Sequence, residues 1–398
     1  MRSTLTTFAG LGLSAALVLT GCGSGSDSAD GENGSGADQT TSAASTPKEK
    51  VVAALDTLQQ SNSIGYTLAV NSTPEDLKKI AAAQPKTGED AFTRADIKEL
   101  ESLLGGKATF AQTLPEGKTL GDLTQVNAGP QTVAEFFDPA VVEKSLKDAG
   151  SFSMSLSQDD ANLFDLAAKD GLLYLRADAE KVAELGELGD VSQAQAMLGQ
   201  LPPVMATPAK AVLEGKWVSL DLVETVKLLD EQGLSDMLPK EAATPAVDQA
   251  KVQDFAEALY ASIEADSEVT EIDGNEKGDG YRVTVPIKKV AEATQEDLIA
   301  IFGEKTGGDI RDSIKEISAS DSVDLDVFVK DGSLGGVSFD MTQALEKPVE
   351  GTTFTIDVDV DPKAAPVEIP GDATAVDIKG IMGLIPADTF ASGLGSGL

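Results

Sequence analysis

Three aspartates, Asp357, Asp359 and Asp361, alternate along one stretch, and Glu368 stands at the twelfth place counted from Asp357, the carboxylate spacing of an EF-hand calcium loop. That loop turns on a glycine at its sixth place, where this chain has Pro362, and the segment FTIDVDVD alternates like a strand. The carboxylates therefore read as a solvated strand face that discourages edge pairing. Asp273 to Thr284 fails in the same way, with Lys277 at a ligand place. Lys86-Thr87-Gly88 and Lys305-Thr306-Gly307 carry the K-T-G tripeptide of a serine acyl-enzyme site, and Ser45-Thr46-Pro47-Lys48 has S-x-x-K spacing. The S-D-N element is absent and S-x-x-K falls at the end of a low-complexity segment, so no such enzyme is expected.

Composition removes most other chemistry. The 398 residues include no histidine and one cysteine, which excludes Ser-His-Asp and Cys-His catalysis, ordinary zinc sites, intramolecular disulfides and cysteine-ligated clusters. Any of the 66 acidic residues could in principle pair for glycoside hydrolysis, but one Trp and four Tyr leave few platforms for sugars. No glycine-rich phosphate loop follows a strand. We expect no catalytic residue, no metal and no cofactor. The formal charge of −35 argues against nucleic acid as a partner, since both would be polyanions.

The cysteine stands in a telling place. Arg2 is followed by an apolar segment near Phe8–Leu19, too short to span a bilayer, and then by Leu19-Thr20-Gly21-Cys22. The short apolar run and small residues mark a secretory signal over 1–21. Leu19, Thr20, Gly21 and Cys22 resemble a bacterial lipobox, which implies acyl chains on Cys22 and a membrane as partner. Residues 22–47, rich in Gly, Ser, Thr and Asp, cannot bury enough surface to order and read as a tether of about 25–30 Å reach. The expected location is the extracytoplasmic face of the cell membrane.

Residues 48–378 read as the folded body and 379–398 as a glycine-rich tail. Val51, Val52, Leu55 and Leu58 share one face of a helix after Pro47. Strands are expected at 64–70, 107–113, around Phe152, Met154 and Leu156, at 163–168 and 172–177, and at 217–222. Further strands are expected at 268–272, 281–287, 323–329, 335–341 and 353–360. Asp170-Gly171 and Asp331-Gly332 should close hairpins. Helices are expected near 74–104 in two pieces, 131–148, after 222 through about Gln232, 249–265, 289–302 and 308–317, with 179–213 helical or irregular and a connector at 239–248. Clean period-two alternation implies one buried and one wet face, hence an antiparallel sheet in an α+β body. A helix-then-strand entry occurs twice, at 48–70 and 249–272.

The apolar positions of the late strands, Tyr281, Val283, Val285, Val337, Phe339, Phe354, Ile356 and Val358, belong to a core by alternation, or line a gap if sheet and helices do not close. Leu172-Leu173-Tyr174-Leu175-Arg176 with Trp217-Val218-Ser219-Leu220-Asp221-Leu222, Gly278 through Val285, and the closing strands with Pro366-Val367-Glu368-Ile369-Pro370 resemble the LolA-like group, especially actinobacterial LppX/LprG-type lipoproteins. The resemblance implies a curved antiparallel half-barrel with helices packed on its concave side and a lipid or other hydrophobic ligand in the gap. Residues around 72–150 and 179–213 exceed the group's usual unit. Two other readings stay open: a solute-binding lipoprotein of an ABC importer, which would need two parallel-stranded lobes, and a structural or regulatory envelope module that binds no ligand.

Overall fold

The computed structural model describes residues 46–84, 100–101, 104–123, 138–159, 161–185, 191–231, 249–345, 347–365, 367–368 and 371–384. Leu19, Thr20, Gly21, Cys22, nearly all of the tether, the second helical piece expected before residue 100, the connector at 239–248 and the tail beyond 384 lie outside the described residues.

The first described element is α1 (Pro47–Gln59), where the Thr46 side chain accepts from the Glu49 amide while Glu49 accepts from the Thr46 amide, a reciprocal cap beside a proline that pre-sets the first turn. After β1 (Ser63–Ser72), the same Thr-Pro device starts α2 (Pro74–Ala83). Next come β2 (Gly106–Thr113), α3 (Leu120–Leu123) and α4 (Pro139–Ala149), the last capped by Asp138. Strands β3 (Ser151–Gln158), β4 (Ala161–Lys169) and β5 (Leu172–Ala177) precede α5 (Ala179–Leu185), α6 (Val191–Leu198) and α7 (Pro203–Leu213). Then follow β6 (Val218–Asp221), α8 (Leu222–Glu231), α9 (Gln249–Asp266), β7 (Glu268–Asn275) and β8 (Gly278–Pro286). Helices α10 (Ile287–Phe302) and α11 (Glu304–Glu316) lead into β9 (Ser322–Lys330), β10 (Ser333–Asp340), β11 (Phe354–Asp361), β12 (Thr374–Ala375) and α12 (Ile378–Met382).

The twelve strands among the described residues join one open sheet in the order β12-β6-β5-β4-β3-β2-β1-β11-β10-β9-β8-β7. The fold class is α+β with a mixed sheet. The expectation of a purely antiparallel sheet is corrected at one edge, where β12 pairs with β6 in parallel. The cause is the route of the chain: after β11, Ala364 lies against Gly65 of β1 and Val367 against β4 and β5, and β12 comes to lie alongside β6. Two tight turns form where expected. Asp170 and Gly171 (φ 53° and 82°) and Asp331 and Gly332 (φ 51° and 77°) both place two residues in the left-handed region, which matches the right-handed twist of the strands they join. The hairpin β7–β8 has a shorter turn than the expected strands at 268–272 and 281–287 would leave between them. Its Lys277 lies over a bulge in β10, where a Cβ at Gly335 would strike the Lys277 carbonyl and one at Gly336 would meet the Val358 carbonyl. Two glycines thus let the Lys277 stem cross the strand and reach Asp359 at 2.5 Å.

The two helix-then-strand entries are not equivalent in space. β7 forms one edge of the sheet, whereas β1 sits in its middle against β11. Helix α1 packs on β7, β9 and β10 rather than on its own successor. The main core forms there. Leu58, Leu77, Ile80 and Leu334 are almost fully buried, together with Leu259 and Tyr260 of α9, Val290 of α10 and the inward residues of β8–β10.

A second, smaller core lies on the opposite face, where Val367 of the crossing segment packs with Ala167 and Tyr174 beside Trp217. On that face Ala364 comes against Gly65, and beyond it the Thr374 amide donates to the Trp217 carbonyl. Helices α1, α9 and α10 pack on the β7–β10 end of the sheet and α5, α7 and α8 on its β4–β6 end, where Val367 adds the small second core.

Candidate functional site

Directly paired strand residues point to the same side, so the register defines the faces of the sheet. One cross-strand row runs Tyr281, Val327, Val337, Val358, Leu68, Ala108, Leu156, Phe164, Ala177 from β8 to β5, with no polar side-chain atom beyond the Tyr281 hydroxyl. A neighbouring row on the same face runs Val360, Tyr66, Phe110, Met154, Leu166, Leu175, Val218. The other face carries Asp359, Thr67, Thr109, Ser155, Asp165 and Arg176 in one such row.

Burial along the apolar face is uneven. Tyr281, Val327 and Val337 are 2%, 3% and 5% exposed beneath α1 and α9. From β11 to β4 cover thins: Val358, Leu68, Phe110, Met154, Phe164 and Leu166 are only half-buried and Leu156 is 39% exposed, before the face is buried again at Val218 of β6. Tyr66, Phe110 and Phe152 stack across three strands, with centroids 4.9 and 6.3 Å apart. Burial raises the Tyr66 phenol above its ordinary value. The result is an apolar trough across β11 and β1–β5, continuous with the core at one end.

The residues expected to line a gap divide accordingly. Tyr281, Val283, Val285, Val337, Phe339 and Phe354 are buried core. Val283 and Val337 also border an internal space between α1, α9 and the sheet, of about 50 Å³. That is far below the ~150 Å³ that holds a benzene. Only Ile356 and Val358 are half-buried and belong to the trough. Phe110, Met154, Phe164 and Leu166 were not among the expected lining residues. The alternation of Phe152, Met154 and Leu156 with serines was a signal for a one-sided strand, but not for its position beside β2.

The polar candidates are placed differently from any site. Asp357 accepts from Ser338 and Thr355, and Asp361 accepts from the Lys363 amide, all along β11 and its exit. Thr306-Gly307 of one K-T-G tripeptide sits inside α11, and Lys86-Thr87-Gly88 lies outside the described residues. Among the described residues, no group of three His, Cys, Asp or Glu side chains could hold a metal ion, and no helix is long and apolar enough to cross a membrane.

One ion pair on the polar face has structure around it. Asp165 accepts from Ser155 Oγ at 2.7 Å, from Asn162 Nδ2 at 2.7 and 2.8 Å, and from Arg176 Nε and Nη2 at 2.8 and 2.5 Å. Arg176 also lies 5.0 Å above the Trp217 ring. Burial alone would raise the Asp165 carboxyl; the hydrogen bonds from Asn162, Ser155 and Arg176, with the guanidinium charge, outweigh it and hold the group below its ordinary value. A lowered carboxyl stabilises the fold above its unfolded-state value and loses that contribution as pH falls through the folded one. Asp165→Asn should therefore cost about 2–3 kcal/mol at neutral pH, since it leaves Arg176 without a counter-charge. The deficit should shrink in acid. Urea titrations at neutral and acidic pH measure both; an equal deficit at both would contradict the ionic assignment.

Comparison with known proteins finds no matching family model and no matching curated protein. The functional reading therefore rests on these residues.

Proposed function

We propose that this chain is a membrane-tethered extracytoplasmic lipoprotein that binds a lipid or other hydrophobic molecule in the trough. On this reading the mixed sheet bends into a half-barrel of the LolA-like kind, with the apolar face inside. The observation that carries it is the change along one row, from Val337 at 5% exposure to Leu156 at 39%, within an unbroken apolar sequence of side chains. A structural sheet face of that length would be covered, as it is at β8–β10. An acyl chain that removed ~300 Å² of this surface from water would gain ~7 kcal/mol before ordering costs.

Attachment would run through acyl chains on Cys22, with the tether leaving the acidic body free above an anionic surface. Cys22→Ala should move the protein from the membrane fraction to the medium. Fractionation of cells checks this, and a variant that stayed in the membrane would contradict the anchor. For the trough, full-length protein should give saturable, blue-shifted emission with a dansyl-labelled fatty acid; an unsaturable signal would contradict the binding reading.

The importer reading asks for two parallel-stranded lobes, whereas the described strands form one sheet with a single two-residue parallel strand. A structural module without ligand has one observation in its favour, the small size of the internal space, and the same titration separates it.

A further inference from the structure

The acidic residues are not spread evenly. Between Asp190 and Glu214 the chain carries no carboxylate and one base, Lys210, the longest acid-free stretch after residue 47 in a protein of formal charge −35. This stretch folds as α6 and α7, which pack against each other, with α12 packed on α7 where Gly380 meets Val204. Four of the seven large apolar side chains left exposed among the described residues fall on this cluster or its end: Met197 (54%), Leu201 (36%), Met205 (37%) and Leu384 (48%). Met197, Leu201 and Met205 are spaced by four residues. A globular surface does not need such a patch, and clustered exposed apolar side chains mark an interaction site.

We propose that the α6–α7 hairpin is a membrane-contacting surface that inserts these side chains at the headgroup boundary of a phospholipid bilayer. The argument for a bilayer is electrostatic. An anionic lipid surface repels carboxylates, and this is the segment from which they are missing while the rest of the body is dense with them. Met and Leu supply apolar surface without a fixed shape, which suits a fluid partner. The inference rests on the envelope-lipoprotein reading but not on a ligand in the trough. The body would then be held in one orientation on the surface to which its tether already confines it.

The test uses the full chain with Cys22→Ala, which removes both the acyl chains and the only thiol. Leu201→Cys in that background, labelled with a polarity-sensitive fluorophore, should show a blue shift on adding vesicles of phosphatidylglycerol and phosphatidylethanolamine. Val252→Cys, an exposed site on α9, should not. The local reporter matters because the apolar segment near Phe8–Leu19 could itself bring the chain to vesicles. Met197→Ser with Met205→Ser should weaken the vesicle dependence of the Leu201→Cys signal by about tenfold or more. No shift at Leu201→Cys, an equal shift at Val252→Cys, or a shift that appears with protein concentration alone and reports a dimer would each overturn the proposal. Fatty-acid binding measured on the same sample is unaffected by any of these outcomes, so the two readings fail separately.

Discussion

Met154→Asp should abolish saturable fatty-acid binding, weakening it by about two orders of magnitude or more, while cooperative unfolding is retained. Met154 stands on β3 between Phe110 and Leu166 and is half-buried, so an empty trough can hydrate the new carboxylate. A bound hydrocarbon would cover it. Burying an unpaired charge against an alkyl chain costs several kcal/mol, and ~3 kcal/mol is already more than a hundredfold in affinity. Thr109→Asp places the same charge on the exposed opposite face of β2 and should leave binding unchanged. Isothermal or fluorescence titration of the two variants separates a site-specific effect from a general one. Equal affinity in Met154→Asp and the wild type would mean that the ligand lies elsewhere.

Leu58→Ala should lower the unfolding free energy by about 2–5 kcal/mol. Leu58 has no exposed surface and sits on α1 within the main core. Removing its side chain opens a hole in a region that the Thr46–Pro47 cap and the crossing of α1 over β7, β9 and β10 hold in place. The comparison is Met197→Ala, which should stay within about 0.5 kcal/mol because Met197 is 54% exposed. Chemical denaturation measures both. A Leu58→Ala cost near that of Met197→Ala would show that the β7–β10 end is not the stability centre.

Much of the local structure was legible. Thr46-Pro47 with Val51, Leu55 and Leu58 specifies α1, and Asp170-Gly171 and Asp331-Gly332 specify their turns, because each depends on neighbours within a few residues. Strand order was not legible. Nothing local says that β1 leaves its own half to pair with β11, and that pairing makes Val360, Tyr66 and Phe110 one surface. The parallel β12 on β6 and the contact of Ala364 with Gly65 also join partners far apart in sequence.

The candidate lining residues show a physical limit of hydropathy. The late strands alternate apolar and polar residues over several positions in succession, so they attract attention as a gap. Those same properties are what a closed core selects, and Tyr281, Phe339 and Phe354 are accordingly buried. A trough that stays open carries the same period-two alternation, with serines between Phe152, Met154 and Leu156, so periodicity does not separate it from a closed core.

Native mass spectrometry of the full-length protein, purified gently from an envelope-containing host, tests the account most directly. A population heavier than the acylated chain by a lipid-sized mass, stripped by collisional activation and absent from Met154→Asp, is the predicted result. A single ligand-free mass under the gentlest conditions, unchanged after incubation with lipid, would contradict it.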